Sequence, residues 1–131
     1  MKKGRVIAWV VWALYICAVL VLLFGKFSSS PDIPKDVLGI SMDKLVHFLI
    51  FSPSVVLTYL TFYRRDMSEK KVAWLLVFAF SAAMAVAAGS EIAQYFLPWR
   101  QGEPLDLAAD SVGAVLSTLV AVLVHNKTRS R

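Results

Sequence analysis

The sequence predicts an all-α membrane protein, a four-helix transmembrane bundle with N- and C-termini in the cytoplasm. Three observations carry this reading. First, 58% of the 131 residues are hydrophobic and the mean hydropathy is +0.64, which excludes an ordinary soluble globule. Second, the apolar residues gather in four stretches of about 20 residues, the length a helix needs to cross the hydrocarbon core. Third, basic residues cluster at alternate ends of those stretches, as topology signals do. The length allows one domain, residues 1–131.

The first span covers 6–24 and holds no charge. It is longer than a typical signal-peptide core, and no Ala-x-Ala-like site follows, so an uncleaved signal anchor is expected. An outer loop, 25–44, contains Ser28-Ser29-Ser30-Pro31, Asp32-Ile33-Pro34 and Gly39. It reads as an ordered loop or short amphipathic piece. The second span, 45–63, carries Ser52-Pro53-Ser54. Pro53 removes a backbone hydrogen bond and crowds the preceding turn, so a kink is expected there. Membrane helices tolerate such a break. The third span, 72–97, ends before Pro98. Its small residues Ser81, Ala82, Ala83, Ala85, Ala87, Ala88 and Gly89 are expected to admit a neighbouring helix closely. The fourth span, 105–124, starts after Pro104. Tyr59, Tyr63, Trp74, Tyr95 and Trp99 are expected as interface anchors, and Trp9 and Trp12 as lipid-facing or packing residues.

Charge sets direction. Lys2, Lys3 and Arg5, then Arg64, Arg65, Lys70 and Lys71, then Lys127, Arg129 and Arg131 make ten of the fourteen basic residues, all on one side. Lys26, Lys35, Lys44 and Arg100 fall on the other. The positive-inside rule puts the larger group in the cytoplasm. The formal charge of +5 lies in clusters at span ends, so it argues against a nucleic-acid partner. The bilayer is the expected partner. Cys17 is alone and excludes an intrachain disulfide.

Three spans nevertheless carry Asp43, His47, Glu91, Asp106 and Asp110. Such groups cost roughly 2.5–3.5 kcal/mol each near a helix centre. Asp43 and His47 are four apart on one helical face, beside Lys44, with Ser41 a candidate N-cap. Glu91, Gln94 and Tyr95 form a polar stripe at i, i+3, i+4. Asp106, Asp110 and Gly113 form another at i, i+4, i+7. Helical rise puts Glu91 roughly 10 Å below Pro98 and Asp110 roughly 9 Å below Pro104. The expected result is a polar pocket open to the outside, with His47, Glu91 and Asp110 at similar depth and Arg100 swinging back over the acids. The cytoplasmic half of each helix is read as almost purely apolar.

Each residue has a functional and a structural reading. His47 is a candidate proton carrier or metal ligand, or a hydrogen-bond partner for Glu91 or Asp110. Glu91 is a site carboxylate, or an ion-pair partner of Lys44 or Arg100. Asp106 suits the positive end of a helix dipole. Asp110 lies beyond the first turn, where capping explains it poorly. Gln94 reads as a packing hydrogen bond.

The stretches Asp43-Lys44-Leu45-Val46-His47-Phe48, Gly89-Ser90-Glu91-Ile92-Ala93-Gln94-Tyr95-Phe96, Pro98-Trp99-Arg100 and Asp106-Leu107-Ala108-Ala109-Asp110-Ser111-Val112-Gly113-Ala114 resemble those of the VanZ-like family of small bacterial membrane proteins. That family shows D-K-x-x-H-F, E-x-x-Q-x-F, P-x-R and D-x-x-x-[ND]-x-x-G in this order. The resemblance covers about residues 43–120. It implies a bacterial cytoplasmic membrane protein and an association with lowered susceptibility to the glycopeptide teicoplanin, and it supplies no reaction. Asp110 stands where the family often has Asn, which adds a charge to the pocket.

Four functions compete. The first is a non-enzymatic pocket, made of Asp43, Lys44, His47, Glu91, Gln94, Arg100, Asp106 and Asp110, for an envelope precursor, lipid headgroup or glycopeptide. The second is a membrane enzyme on a lipid-linked envelope substrate, with His47, Glu91 and Asp110 as candidate catalytic residues or ligands of a divalent metal. No G-x-S-x-G or H-E-x-x-H is present, and no cofactor is named by the residues. A carrier is the third, disfavoured because no polar line crosses the inner half. The fourth is a purely structural role for the charges.

Overall fold

In a computed structural model the described residues are 3–25, 36–100 and 102–130. Lys2, Lys26, Ser28-Ser29-Ser30-Pro31, Asp32-Ile33-Pro34, Lys35, Gln101 and Arg131 lie outside them. The chain forms α1 (Lys3–Phe24), β1 (Asp36–Val37), β2 (Ile40–Ser41), α2 (Met42–Phe51), α3 (Ser54–Phe62), α4 (Glu69–Tyr95) and α5 (Pro104–Arg129). With α2 and α3 taken together, four helical segments are long and apolar enough to cross a membrane.

Each segment starts one to three residues before its predicted stretch, because polar residues still complete the first turn, while the second and third end at Phe62 and Tyr95, short of the predicted 63 and 97. Ser68 caps α4, its side chain accepting from the Lys71 N–H at 3.4 Å. Pro104 opens α5 at a first-turn position, where its missing N–H costs nothing.

The segments alternate in direction. At one end the finish of α1 meets that of α4, with Gln94 Nε2 donating to Leu23 O at 2.8 Å. The starts of α2 and α5 meet there too. At the other end Thr61 Oγ1 of α3 approaches Ala8 O of α1 at 3.4 Å, and Glu69 of α4 meets His125 of α5. The first is called the hairpin end, because the antiparallel pair β1–β2 precedes α2 there. Its register is Asp36 to Ser41 and Val37 to Ile40. Leu38 and Gly39 both take positive φ, 55° and 79°, the backbone of a tight two-residue hairpin turn. The sequence reading expected an ordered loop here and did not foresee strands.

The break at Pro53 is full: α2 stops at Phe51 and α3 starts at Ser54. Helix α5 solvates it. Ser117 Oγ accepts from both the Val55 and Val56 N–H groups at 3.0 Å, amides that an unbroken helix would pair internally. In a bilayer interior a buried side chain must do what water does elsewhere. Gly113 brings α5 close: a Cβ there would lie 2.7 Å from Phe48 O and 3.1 Å from Ser52 N.

Helix α5 is central, packing on α2, α3 and α4, while α1 lies outside against α3 and α4. Along its length α1 is also tied by its own side chains, Trp12 Nε1 donating to Thr58 Oγ1 at 3.2 Å and Tyr15 OH to Ile50 O at 2.8 Å. Trp9 packs edge-on against Phe62. The α4 face in the bundle is Ala79, Ala83, Ala87, Ser90 and Gln94.

Three expectations are corrected. Gly89 faces open space, with nothing within 4 Å of an added Cβ, and Ser81, Ala82 and Ala85 are exposed; the close-approach glycine is Gly113. Tyr59 is buried, stacked on Tyr63 and bonded to His125 at 3.0 Å, so it is a packing residue and not an interface anchor. The half of the bundle read as almost purely apolar buries Ser54, Tyr59, Thr61, Ser117 and His125. These work because each hydroxyl or ring finds a partner.

Candidate functional site

The hairpin end gathers every residue the sequence nominated. The first turns of α2 supply Asp43, Lys44 and His47. The last turns of α4 supply Glu91 and Gln94. The first turns of α5 supply Asp106 and Asp110, and the α4–α5 turn supplies Arg100. The local causes are simple. Asp43 and Asp106 fall in first helical turns, where the dipole favours a negative charge. Ser41 stands at the N-cap of α2 without making a side-chain cap bond.

His47 is the hub. Its Nδ1 lies 2.9 Å from Asp110 Oδ1 and 3.7 Å from Glu91 Oε1. A carboxylate only accepts, so the short contact has Nδ1–H donating. His47 is 1% exposed and Asp110 0%, so this pair lies inside the bundle. A second group stands above it: Lys44 Nζ is 2.7 Å from Glu103 Oε2 and 3.5 Å from Asp106 Oδ1. The Glu103 N–H donates to Glu91 Oε2 at 3.1 Å. Arg100 does fold back: its Nη1 is 3.5 Å from Asp43 Oδ1, and Nη2 donates to Leu22 O.

Gln94 stands apart. Its amide is spent on the Leu23 carbonyl, which makes it a tie between α4 and α1 at the edge of the cluster. Asp43 is the most exposed of the nominated acids on the helices, 47% by side chain. Asp106, Asp110, Glu91 and His47 form the buried heart.

Several charged oxygens in that heart lack hydrogen bonds: Glu91 Oε1, Asp110 Oδ2 and both oxygens of Asp106. The Asp106 Oδ1 to Lys44 distance is that of an ion pair without hydrogen-bond geometry. Two groups of side chains offer ligand atoms within 4.8 Å of one another: Asp43, His47 and Asp106, and His47, Glu91 and Asp110. Either has the donors to hold a cation.

Beside the cluster, between α4 and α5, runs a groove of 530 Å³ lined by Ile92, Tyr95, Phe96 and Leu107, with Glu91 and Glu103 along one edge. Tyr95 and Phe96 are each 77% exposed. In the sequence Glu103 reads only as part of the turn before Pro104.

A second polar cluster at the opposite end was missed. His125 Nε2 meets Glu69 Oε2 at 3.2 Å, and Arg129 Nη1 meets Glu69 Oε1 at 2.6 Å. The signal was available. Asp106, Asp110, Gly113, Ser117 and His125 all lie on the buried face of α5, so extending the helical period reaches His125.

Known proteins fit this picture. The sequence matches the VanZ/LLP1 family over residues 12–125, which reaches all four spans and takes in the whole polar cluster. A similar protein, itself uncharacterized, occurs in the fission yeast Schizosaccharomyces pombe. It is 26% identical over 114 residues, which cover 87% of this chain and 65% of that protein. The chain thus spans less than two thirds of that relative's length. No solved structure matches. By a match that runs from residue 12 to residue 125, well over half of its length, the chain belongs to the VanZ/LLP1 family.

Proposed function

We propose that this protein binds a membrane lipid or lipid-linked envelope component at the hairpin end, without converting it. The observation that carries this is the groove between α4 and α5. Its walls are apolar, with Ile92, Tyr95, Phe96 and Leu107 among them, and the acidic residues Glu91 and Glu103 adjoin it. That pairing suits one kind of molecule, an amphiphile. Its hydrocarbon chain lies along the wall, and a headgroup bearing amines or hydroxyls meets the carboxylates. The basic residues at the opposite end support an orientation with that end cytoplasmic and the groove facing outward.

The fission-yeast relative favours a lipid found beyond bacteria as the family's common ligand. In a bacterium the same site accepts a lipid-linked wall precursor, and a change in teicoplanin susceptibility follows from that binding. A free glycopeptide fits less well, because the groove opens sideways from the helices.

The test is a lipid carrying a photo-crosslinking group in its acyl chain, added to the protein in nanodiscs. Adducts are expected on Ile92, Tyr95, Phe96 and Leu107, and Leu107→Trp is expected to fill the groove and remove most of them. Equal labelling of every lipid-facing helix, unchanged by Leu107→Trp, would sink the proposal.

A second reading has one observation in its favour. The buried His47–Asp110 pair at 2.9 Å has the form of an oriented general base. A membrane enzyme on the same amphiphile would use it, and turnover of the bound lipid abolished in Asp110→Asn would favour that reading.

A further inference from the structure

We infer that His47, Glu91 and Asp110 form a binding site for one divalent transition-metal ion, zinc above all. The site lies under the groove and does not depend on a lipid occupying it.

Geometry comes first. Ligand atoms that share an ion at about 2.0–2.2 Å stand roughly 3–3.5 Å from one another. The His47 Nδ1 to Asp110 Oδ1 and His47 Nδ1 to Glu91 Oε1 distances, 2.9 and 3.7 Å, straddle that range. One ligand atom from each of the three lies within 4.8 Å of the others. Small side-chain adjustments close the triad around an ion, and the helices need not move.

Unspent bonding capacity comes second. Glu91 Oε1 and Asp110 Oδ2 are buried and lack hydrogen-bond partners. A buried anionic oxygen without a partner is costly. An ion between these side chains would give both a use.

The third argument is charge. The cluster at this end brings together five carboxylates: Asp43, Glu91, Glu103, Asp106 and Asp110. Against them stand two permanent cations, Lys44 and Arg100. His47 can supply one more charge only as an imidazolium. A divalent ion, with His47 neutral, would remove most of the imbalance. Uptake of protons by the acids is the rival solution, and metal analysis separates the two.

The donor set names the metal. One imidazole with two carboxylates suits zinc and its neighbours. Calcium and magnesium prefer shells made of oxygen alone. The second group, Asp43, His47 and Asp106, competes for the same imidazole, but it includes the exposed Asp43 and a lysine ion-paired to Asp106. A cation close to a metal opposes binding, which favours the deeper triad.

The test uses the full chain, purified in detergent, stripped with chelator and titrated with Zn²⁺ alone. About one zinc per chain is expected to bind, with a rise in melting temperature. Glu91→Gln with Asp110→Asn is expected to weaken binding at least about 10-fold. Glu69→Gln, at the opposite end, is expected to leave it unchanged. Cobalt added to the wild type is expected to give the strong visible absorption of a four- or five-coordinate ion, so the inference stays testable should the double variant not fold. Wild-type protein that binds no zinc and gives no cobalt spectrum overturns it. So does binding that survives the double variant but is lost in Asp43→Asn with Asp106→Asn.

Discussion

Two glycines in the membrane segments are expected to respond oppositely to the same change. Gly113 of α5 sits against the α2–α3 break. Replacing it by Ala puts a Cβ 2.7 Å from Phe48 O, 3.1 Å from Ser52 N and 3.2 Å from Phe51 Cβ. Two of the three obstacles are backbone, which cannot rotate away, so α2 must move off α5. Overpacking of this kind costs about 1–3 kcal/mol, more when backbone must shift. Relief of glycine's poor helix propensity returns only about 1 kcal/mol. Gly113→Ala is therefore expected to destabilise the protein by roughly 1–2 kcal/mol net. Gly89 of α4 meets nothing within 4 Å, so Gly89→Ala keeps the propensity gain and adds no clash. It is expected to stabilise by roughly 0.5–1 kcal/mol. Reversible unfolding in mixed detergent micelles, read by circular dichroism, measures both. The geometry also links Gly113 to the site. It lies one helical turn beyond Asp110, and its obstacle Phe48 follows His47 directly, so forcing the helices apart lengthens the His47–Asp110 bond. The reasoning is refuted if Gly113→Ala is as stable as wild type, or if the two substitutions change stability in the same direction.

Other expectations follow from single contacts. Ser117→Ala removes the acceptor of both the Val55 and Val56 N–H groups; a cost of about 1–3 kcal/mol is expected in the same unfolding assay. Glu91→Gln keeps the acceptor for the Glu103 N–H and removes a charge from an acid-rich cluster. Its melting temperature in chelator is expected to match or exceed wild type, and a loss beyond about 3 kcal/mol would make Glu91 one partner of an essential buried pair. Gln94→Leu leaves the Leu23 carbonyl without its donor and is expected to loosen α1, read as faster proteolysis near residue 25 and a loss of about 1 kcal/mol. For orientation, Arg65→Cys is expected to react with an impermeant maleimide only from the cytoplasmic side, and Trp99→Cys only from the other; the reverse pattern would overturn the assigned sidedness.

Much of this architecture was legible because bilayer physics leaves few choices. Four apolar stretches of spanning length give four helical segments, and i, i+4 spacing puts Asp43 with His47 and Asp106 with Asp110 without any knowledge of packing. Depth arithmetic then brought Glu91, Asp110 and His47 to one level, where the structure has them in contact. What was not legible depended on partners in other helices. Nothing near Gly89 or Gly113 in sequence says which one faces a neighbour. Tyr59 carried the signature of an interface anchor, and only the packing of α5 turned it inward onto His125. The strand pair rests on four residues and a two-residue turn, too short to leave a periodic pattern.

The buried face of α5 explains why so many polar groups persist inside this bundle. Read along the helix, Asp106 faces Lys44, Asp110 faces His47, Gly113 faces the Phe48 carbonyl, Ser117 faces two freed amides, and His125 faces Tyr59 and Glu69. Each position answers a polar need on another helix that water would meet in a soluble protein. Three of those five pairings hold the break in place or tie down the far end, and the first two belong to the charged cluster at the hairpin end. Because the same rigid helix carries both sets, the proposed ion site would inherit its geometry from contacts that exist before any ligand arrives. Oxygens of Asp106 and Asp110 on this face, and of Glu91 on α4, nevertheless lack hydrogen-bond partners. They lie together at one end, where Glu91 also lines the groove between α4 and α5. Packing needs account for the lower half of α5, and the charges at the hairpin end are where the proposed ligand binding is to be tested.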